Sequence, residues 1–335
     1  MRRMSKFSWR ALFATCLLTT AMSASAAQVA ADSVITPAGG GFNGTNWYIG
    51  NTYCASGFGL ADAWINDYSD AYDDAWVFSV DGVGVDAPTG MVDLTGSILT
   101  TPKVSRSGLN TYVQHYYSPT SSLARVMLVM QNPGNSARTV NVATAVNFGS
   151  DSGTVYRMTS SGDGVVSVDD RWIVSSDQGQ WDPVNTSVMY GPGTPRVKPS
   201  TYTTSVHSCS GTQGIGASFT VTVPAGATRS LMFFAGLGGV TAADNTVASA
   251  VNAATRFNSV STFASDWLDG LSNIDRDNVL NWNLQGFTSC AAEGYRGGQL
   301  TMCQKICESN LTGSALSGMI KLYVAAYREQ PACGY

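Results

Sequence analysis

Residues Ala61 to Trp76, ADAWINDYSDAYDDAW, hold the densest concentration of side chains able to do chemistry. Read in steps of four, Asp62, Asn66, Asp70 and Asp74 share one register, and Trp64, Tyr68, Tyr72 and Trp76 share another. On an extended strand, residues an even number apart lie on one face, so all eight would alternate acid or amide with aromatic. Such a face suits a sugar: rings stack on apolar pyranose faces, and carboxylates accept hydroxyl hydrogen bonds. Trp64, Tyr68, Tyr72, Trp76, Asp62, Asp70 and Asp74 are therefore the expected ligand-binding set. Clustered carboxylates also suit Ca²⁺, which makes Asp70, Asp73 and Asp74 candidate calcium ligands, and no other cofactor is expected. The competing reading buries the rings beneath a sheet and uses the aspartates as turn formers.

A second constellation is Gln114-His115-Tyr116-Tyr117 with Arg125 on the following run. In lyase or epimerase chemistry an arginine neutralises a uronate while histidine or tyrosine moves the α-proton, so His115, Tyr117 and Arg125 are the candidate catalytic residues. On a strand His115 and Tyr117 share a face and Tyr116 points the other way. Other hydrolytic routes have little support. The chain has two histidines, and it lacks a G-x-S-x-G elbow, an S-x-x-K and an H-E-x-x-H. Asp169-Asp170 and Asp275-x-Asp277 do not continue into an EF-hand loop and read as turn or cap residues.

The elements that must position these groups are strands. Thirty-five glycines, three glutamates and 13% charged residues point away from helices and from disorder. Between Val34 and Leu237, ten runs rich in Val, Thr, Tyr and Phe alternate with turn clusters, the pattern of an antiparallel sandwich. LARVMLVMQ and RTVNVATAVN, joined at Asn132-Pro133-Gly134-Asn135-Ser136, read as the clearest hairpin, and VPAGATRSLMFF as a second. Val140, Val142, Thr144 and Val146 form the apolar face of the returning strand. After Gly239 the pattern turns helical. Candidate helices are Thr241–Phe257, Ser261–Leu268, Asn273–Leu284 (capped by Asn273 or Asp275) and Leu316–Arg328, with a loop over Gly286–Cys307.

Met1 to Ala26 carries Arg2, Arg3, Lys6 and Arg10, a short apolar core and Ala24-Ser25-Ala26, the plan of a secretory signal. The expectation is export to the periplasm, cell surface or medium, with no transmembrane segment once the leader is removed. The remaining chain has net charge −8 and disfavours nucleic acid as a partner. It keeps Cys54, Cys209, Cys290, Cys303, Cys307 and Cys333, an even number that in an oxidising compartment implies disulfides, four of the six crowding the C-terminus. The expected divisions are a signal at 1–26, a β-sandwich at 27–239 and a helical, disulfide-stapled region at 240–335 packed on the sandwich.

The runs VMQNPGNSARTVNVATAVNFGSDSGTVYRMTSSGD, DDRWIVSSD and VPAGATRSLMFF, in that order, resemble exported bacterial surface proteins with large β-sandwiches. The resemblance covers roughly residues 40–240. It implies a mainly β supersandwich of the galactose-mutarotase-like kind and assigns no residue a role. The expected function is binding of a glycan or cell-surface ligand through the aromatic and acidic face. The alternatives are a carbohydrate-active lyase or epimerase, and a structural surface component without a small ligand.

Overall fold

The computed structural model describes residues 26–37, 44–52, 56–179, 181–206, 213–238, 246–259, 262–263, 265–284, 295–307 and 313–328. The signal segment, Cys54, His207, Cys209, Cys290 and Cys333 lie outside these residues.

The chain is mainly β, in two large antiparallel sheets. The first runs β1 (Ala27–Ala30), β7 (Met91–Thr95), β8 (Ile98–Thr100), β10 (Leu109–Tyr117), β11 (Leu123–Gln131), β18 (Thr228–Leu237), β15 (Asn185–Val188), β14 (Trp172–Asp177) and β13 (Thr154–Thr159), with β9 (Val104–Arg106) beside β10. The second runs β16 (Thr201–Ser205), β17 (Gln213–Val223), β12 (Arg138–Phe148), β5 (Tyr72–Val80), β4 (Gly57–Trp64), β3 (Asn46–Thr52) and β2 (Ser33–Ile35), with β6 (Val83–Gly84) beside β5.

Strand positions follow the sequence closely, but both expected hairpins are corrected. β11 pairs with β10 and β18 in the first sheet, whereas β12 pairs with β17 and β5 in the second. The Asn132–Ser136 turn is therefore an arch between sheets, and so is the Pro224-Ala225-Gly226 turn from β17 to β18. The physical reason is visible in β11, where eight of nine residues are buried. A strand apolar on both faces needs a layer on each side, which a hairpin with a half-polar neighbour does not supply.

Those layers are two distinct cores. Between the sheets lie Val126, Leu128, Leu231 and Phe233 with Val140, Val142, Val146 and Phe219 of the facing sheet, so the alternation expected for β12 holds. The alternate residues Met127, Val129, Met232 and Phe234 point out of the first sheet. They are covered by Ala250, Phe257, Phe263, Trp267 and Trp282 from the chain after β18. Phe257 stacks on Trp267 at 4.8 Å, and Phe234 meets Trp282 edge-on at 5.3 Å. Each buried aromatic stabilises the fold by roughly 1.5–3 kcal/mol.

The covering segment differs from expectation in detail. α1 (Val247–Thr255) lies within the expected helix, and Ser265–Leu268 is a single 3₁₀ turn. α2 (Asn273–Asn278) stops early, and its cap is Ser272, which forms a reciprocal capping box with Asp275. Beyond it the chain crosses the sheet extended, pinned by buried Asn281, whose amide donates to the carbonyls of Met189 (2.9 Å) and Met232 (2.7 Å). Part of the expected Gly286–Cys307 loop is instead α3 (Gly297–Cys307), and α4 (Gly313–Tyr327) follows. Gly297 and Gly298 sit in the first turn of α3, where glycine costs a helix little, so their presence misleads a sequence reading. Cys303, Ile306 and Tyr323 form a third small core between α3 and α4. Cys303 is disulfide-bonded, and the side chain of Cys307 is not among those described. No described helix is long and apolar enough to cross a membrane.

Candidate functional site

The Ala61–Trp76 repeat does not form one face, because the chain reverses within it. β4 ends at Trp64, Ile65 and Tyr68 pair across a tight turn, and β5 begins at Tyr72. Asn66, Asp70, Asp74 and Trp76 all have positive φ, between 50° and 69°, a region where a bulky residue is strained. The reversal divides the aromatic set. Tyr72 and Trp76 belong to the core between the sheets, Trp76 against Phe233 at 5.7 Å, and neither offers a ring to a ligand. Trp64 and Tyr68 are half-buried, and Tyr68 packs against that same core.

The aspartates have a different fate, since the connections β4–β5, β12–β13 and β14–β15 converge at one end of the sandwich. Asn185 Nδ2 donates to the Ala71 carbonyl at 3.0 Å, tying the first sheet to the second. The Gly149 N–H also reaches the Ala71 carbonyl, at 3.3 Å. A Cβ at Gly149 would stand 2.2 Å from the Asp70 carbonyl oxygen, so only glycine permits this approach. Asp62, Asp70, Asp73, Asp151, Asp177 and Asp182 thereby come to share one electrostatic environment.

Burial leads the causes that push the carboxyls of Asp62, Asp73 and Asp182 up to about 6, with neighbouring carboxylates adding to it. In Asp62 the rise persists although Oδ1 accepts from the Ala63 N–H at 2.6 Å and the Tyr72 N–H at 3.2 Å, both of which oppose it. Asp70 is raised in the same direction by burial and by Asp151. Among the described residues no three of His, Cys, Asp or Glu are grouped as a metal site, and the calcium expectation for Asp70, Asp73 and Asp74 is left as an expectation. The strand reversal and the positive φ values of Asp70 and Asp74 set their backbones apart from the regular alternation that the expectation used.

Two further residues complete this end, and sequence reasoning passed over both. Trp181 is 82% exposed and immediately precedes Asp182, whose N–H approaches Asp177 Oδ1 at 3.4 Å. The Trp181 ring lies against Gly179, where a Cβ would come within 2.3 Å of Nε1. Its signal was the context Asp177-Gln178-Gly179-Gln180-Trp181-Asp182-Pro183, a large ring set among turn residues. Asn147 stands where β12 pairs Val146 with Ala75 and Phe148 with Tyr72, leaving it opposite Asp73 and Asp74. It is fully buried, and among the described residues neither amide atom has a hydrogen-bond partner, a costly arrangement.

The second constellation is not assembled. His115 and Tyr117 share a face as expected and hydrogen-bond at 2.7 Å, but both are fully buried between the sheets, with His115 against Phe58. Desolvation pushes the imidazole down to about 3, so it is neutral. Arg125 pairs in register with Tyr116 and therefore points to the opposite face. There its Nη1 donates to the carbonyls of Trp267 (2.8 Å) and Asp269 (3.0 Å), and its guanidinium lies over the Tyr116 ring. Arg125 secures the covering layer, and a sheet separates it from His115 and Tyr117.

No family model matches the chain, and no curated protein matches it. Solved structures similar to parts of it include a polysaccharide lyase (13% identity, 54% of this chain, 27% of that one, TM-score 0.29). A candidate kojibiose phosphorylase from the human microbiome is 8% identical over 64% of this chain and 31% of its own, with TM-score 0.40. A candidate aldose 1-epimerase from Klebsiella pneumoniae is 10% identical over 77% of this chain and 94% of its own, with TM-score 0.38. The chain thus spans about a third or less of the first two. At these identities and TM-scores no site or role carries over to this chain.

Proposed function

We propose that the protein binds carbohydrate at the loop-built acidic end, as an exported binding protein. The observation that carries this reading is Trp181, a tryptophan 82% exposed beside a set of partly buried aspartates. An isolated exposed ring loses the stabilisation that burial would give it, whereas a pyranose face laid on it recovers that contact. Trp181 supplies the stacking surface, with Trp64 and Tyr68 as further aromatic candidates. Asp70, Asp73 and Asp182 accept hydroxyl hydrogen bonds. Partly protonated carboxyls near pH 6 also donate, which suits hydroxyl groups that both give and accept. The leader Met1–Ala26 delivers the chain beyond the cytoplasm, and disulfides staple the C-terminal helices in that compartment.

The test is a glycan-array and insoluble-polysaccharide screen of residues 27–335, repeated with Trp181→Ala. The expected result is a carbohydrate ligand whose affinity falls tenfold or more in the variant while the melting temperature holds. A ligand bound equally well by Trp181→Ala, or no ligand at all from folded protein, refutes the proposal. Self-association without any ligand would support the structural reading instead.

A further inference from the structure

On the opposite side of the first sheet a cavity of about 170 Å³ opens beside α2, lined by Thr194, Arg196, Arg276, Trp282, Asn283 and Leu284. Its frame is rigid. The Gly191 N–H donates to the Asn281 carbonyl at 2.9 Å and the Val197 N–H to the Leu280 carbonyl at 3.0 Å, which fastens the 191–197 segment to the crossing chain. Trp282 is fixed by an Nε1 hydrogen bond to the Met232 carbonyl at 2.7 Å, and its ring lies so near Gly191 that a Cβ there would come within 2.3 Å.

The charge of this cavity runs against that of the chain. Among the described residues two guanidiniums and no carboxylate side chain line it, and Arg229 is near enough to push the Arg196 guanidinium down. Burial lowers both Arg196 and Arg276, the Arg276 side chain being half-buried while Arg196 remains exposed and open to a ligand arriving from solvent. Asp277 and Asp269 relieve this in part. Arg196 uses Nη2 on the carbonyls of Asp277 and Val279, the latter at 2.8 Å, which caps the end of α2. Its Nε and Nη1 hold no hydrogen bond among the described residues.

We infer that this cavity binds a small anion carried on a single ring, with a carboxylate or phosphate held by Arg196 and Arg276 and the ring against Trp282. Arginine presents a planar fork matched to both oxyanions, and Thr194 and Asn283 offer neutral hydrogen bonds to the remaining oxygens. The volume lies below the roughly 300–1,000 Å³ of sites for larger organic ligands, which limits the occupant to about one monosaccharide. A hexuronate has this chemistry, and so does a sugar phosphate. The site is separate from the acidic end, whose charge would repel the same ligand.

Isothermal titration at low ionic strength, with sodium galacturonate, inorganic phosphate and neutral galactose as probes, tests the inference. Galacturonate and phosphate are expected to bind saturably and to compete, with affinity falling as salt is added, and galactose is expected not to bind. Tighter binding of galacturonate assigns the natural anion to a carboxylate, and tighter binding of phosphate assigns it to a phosphate. Arg196→Gln should weaken both at least tenfold, and Arg196→Lys should recover part of the loss by restoring charge without the fork. Because Arg196 also caps α2, Thr194→Phe, which fills the cavity from an exposed position, should abolish binding in a protein with unchanged melting temperature. Trp181→Ala should leave it intact, which separates this site from the proposed carbohydrate site. Absence of saturable anion binding, galactose binding as tightly as galacturonate, or retention of affinity in Thr194→Phe overturns the inference.

Discussion

Replacing Asp62 by asparagine tests the electrostatic account of the acidic end. The Asp62 carboxyl is raised from 3.8 to about 6, chiefly by burial, so the folded protein holds this proton more tightly than the unfolded chain does. Between about pH 4 and pH 6 the folded state binds more protons at this site, so stability falls as pH rises through that window and stays low above it. A rise of about two units corresponds to roughly 3 kcal/mol, an upper bound for a side chain that is not wholly buried. Asparagine keeps an oxygen for the Ala63 and Tyr72 N–H groups and carries no charge. Asp62→Asn should therefore unfold at higher urea than the natural protein at pH 8, by about 2–3 kcal/mol, and should match it at pH 4. The assay is urea denaturation at pH 4, 5, 6, 7 and 8. A difference that is the same at every pH, or a variant less stable at pH 8, would refute the reasoning.

Trp76→Ala should cost about 3–5 kcal/mol, because the ring fills the core between the sheets, whereas Trp181→Ala should change stability by less than about 0.5 kcal/mol, and thermal melts of the two compare them directly. Gly149→Ala forces a methyl group against the Asp70 carbonyl and should destabilise by about 1–3 kcal/mol, with carbohydrate affinity falling alongside. His115 is held neutral by burial well below its ordinary range, so the unfolded state takes up its proton first as pH falls below about 6.5, and stability is lost on acidification. His115→Gln should flatten that acid limb, as read by denaturation at pH 4 and pH 7, and a natural protein with no greater acid sensitivity than the variant would contradict this. Arg125→Met should loosen the helical cover, seen as faster amide exchange in α1 and Trp267, while leaving carbohydrate binding unchanged.

The strands were legible because period-two alternation and turn residues are local signals: β11 begins and ends where the sequence places the run LARVMLVMQ. The partner of each strand was not legible. A five-residue turn serves a hairpin or an arch equally, and only the need to cover both faces of β11 and β18 decides for the arch. The acidic end was half legible. The sequence marks Asp62, Asp70 and Asp73 by their density. It says nothing of Asp151, Asp177 and Asp182, which lie some 80 to 120 residues away and arrive through the Asn185–Ala71 and Gly149–Ala71 contacts.

The sequence by itself determined the class of structure, the acidic balance, the run of strands and the stretch richest in carboxylates and rings. These depend on composition and short-range periodicity, which any segment carries within itself. Tertiary structure alone decided which rings were spent on the core and which stayed outside. Trp76 and Trp181 each lie within two residues of an aspartate, yet one is sealed against Phe233 and the other is left in solvent. It likewise decided that Arg125 and His115, ten residues apart, face opposite sides of one sheet. Burial and register are set by what the rest of the chain brings to each face, and that information is spread over the whole fold.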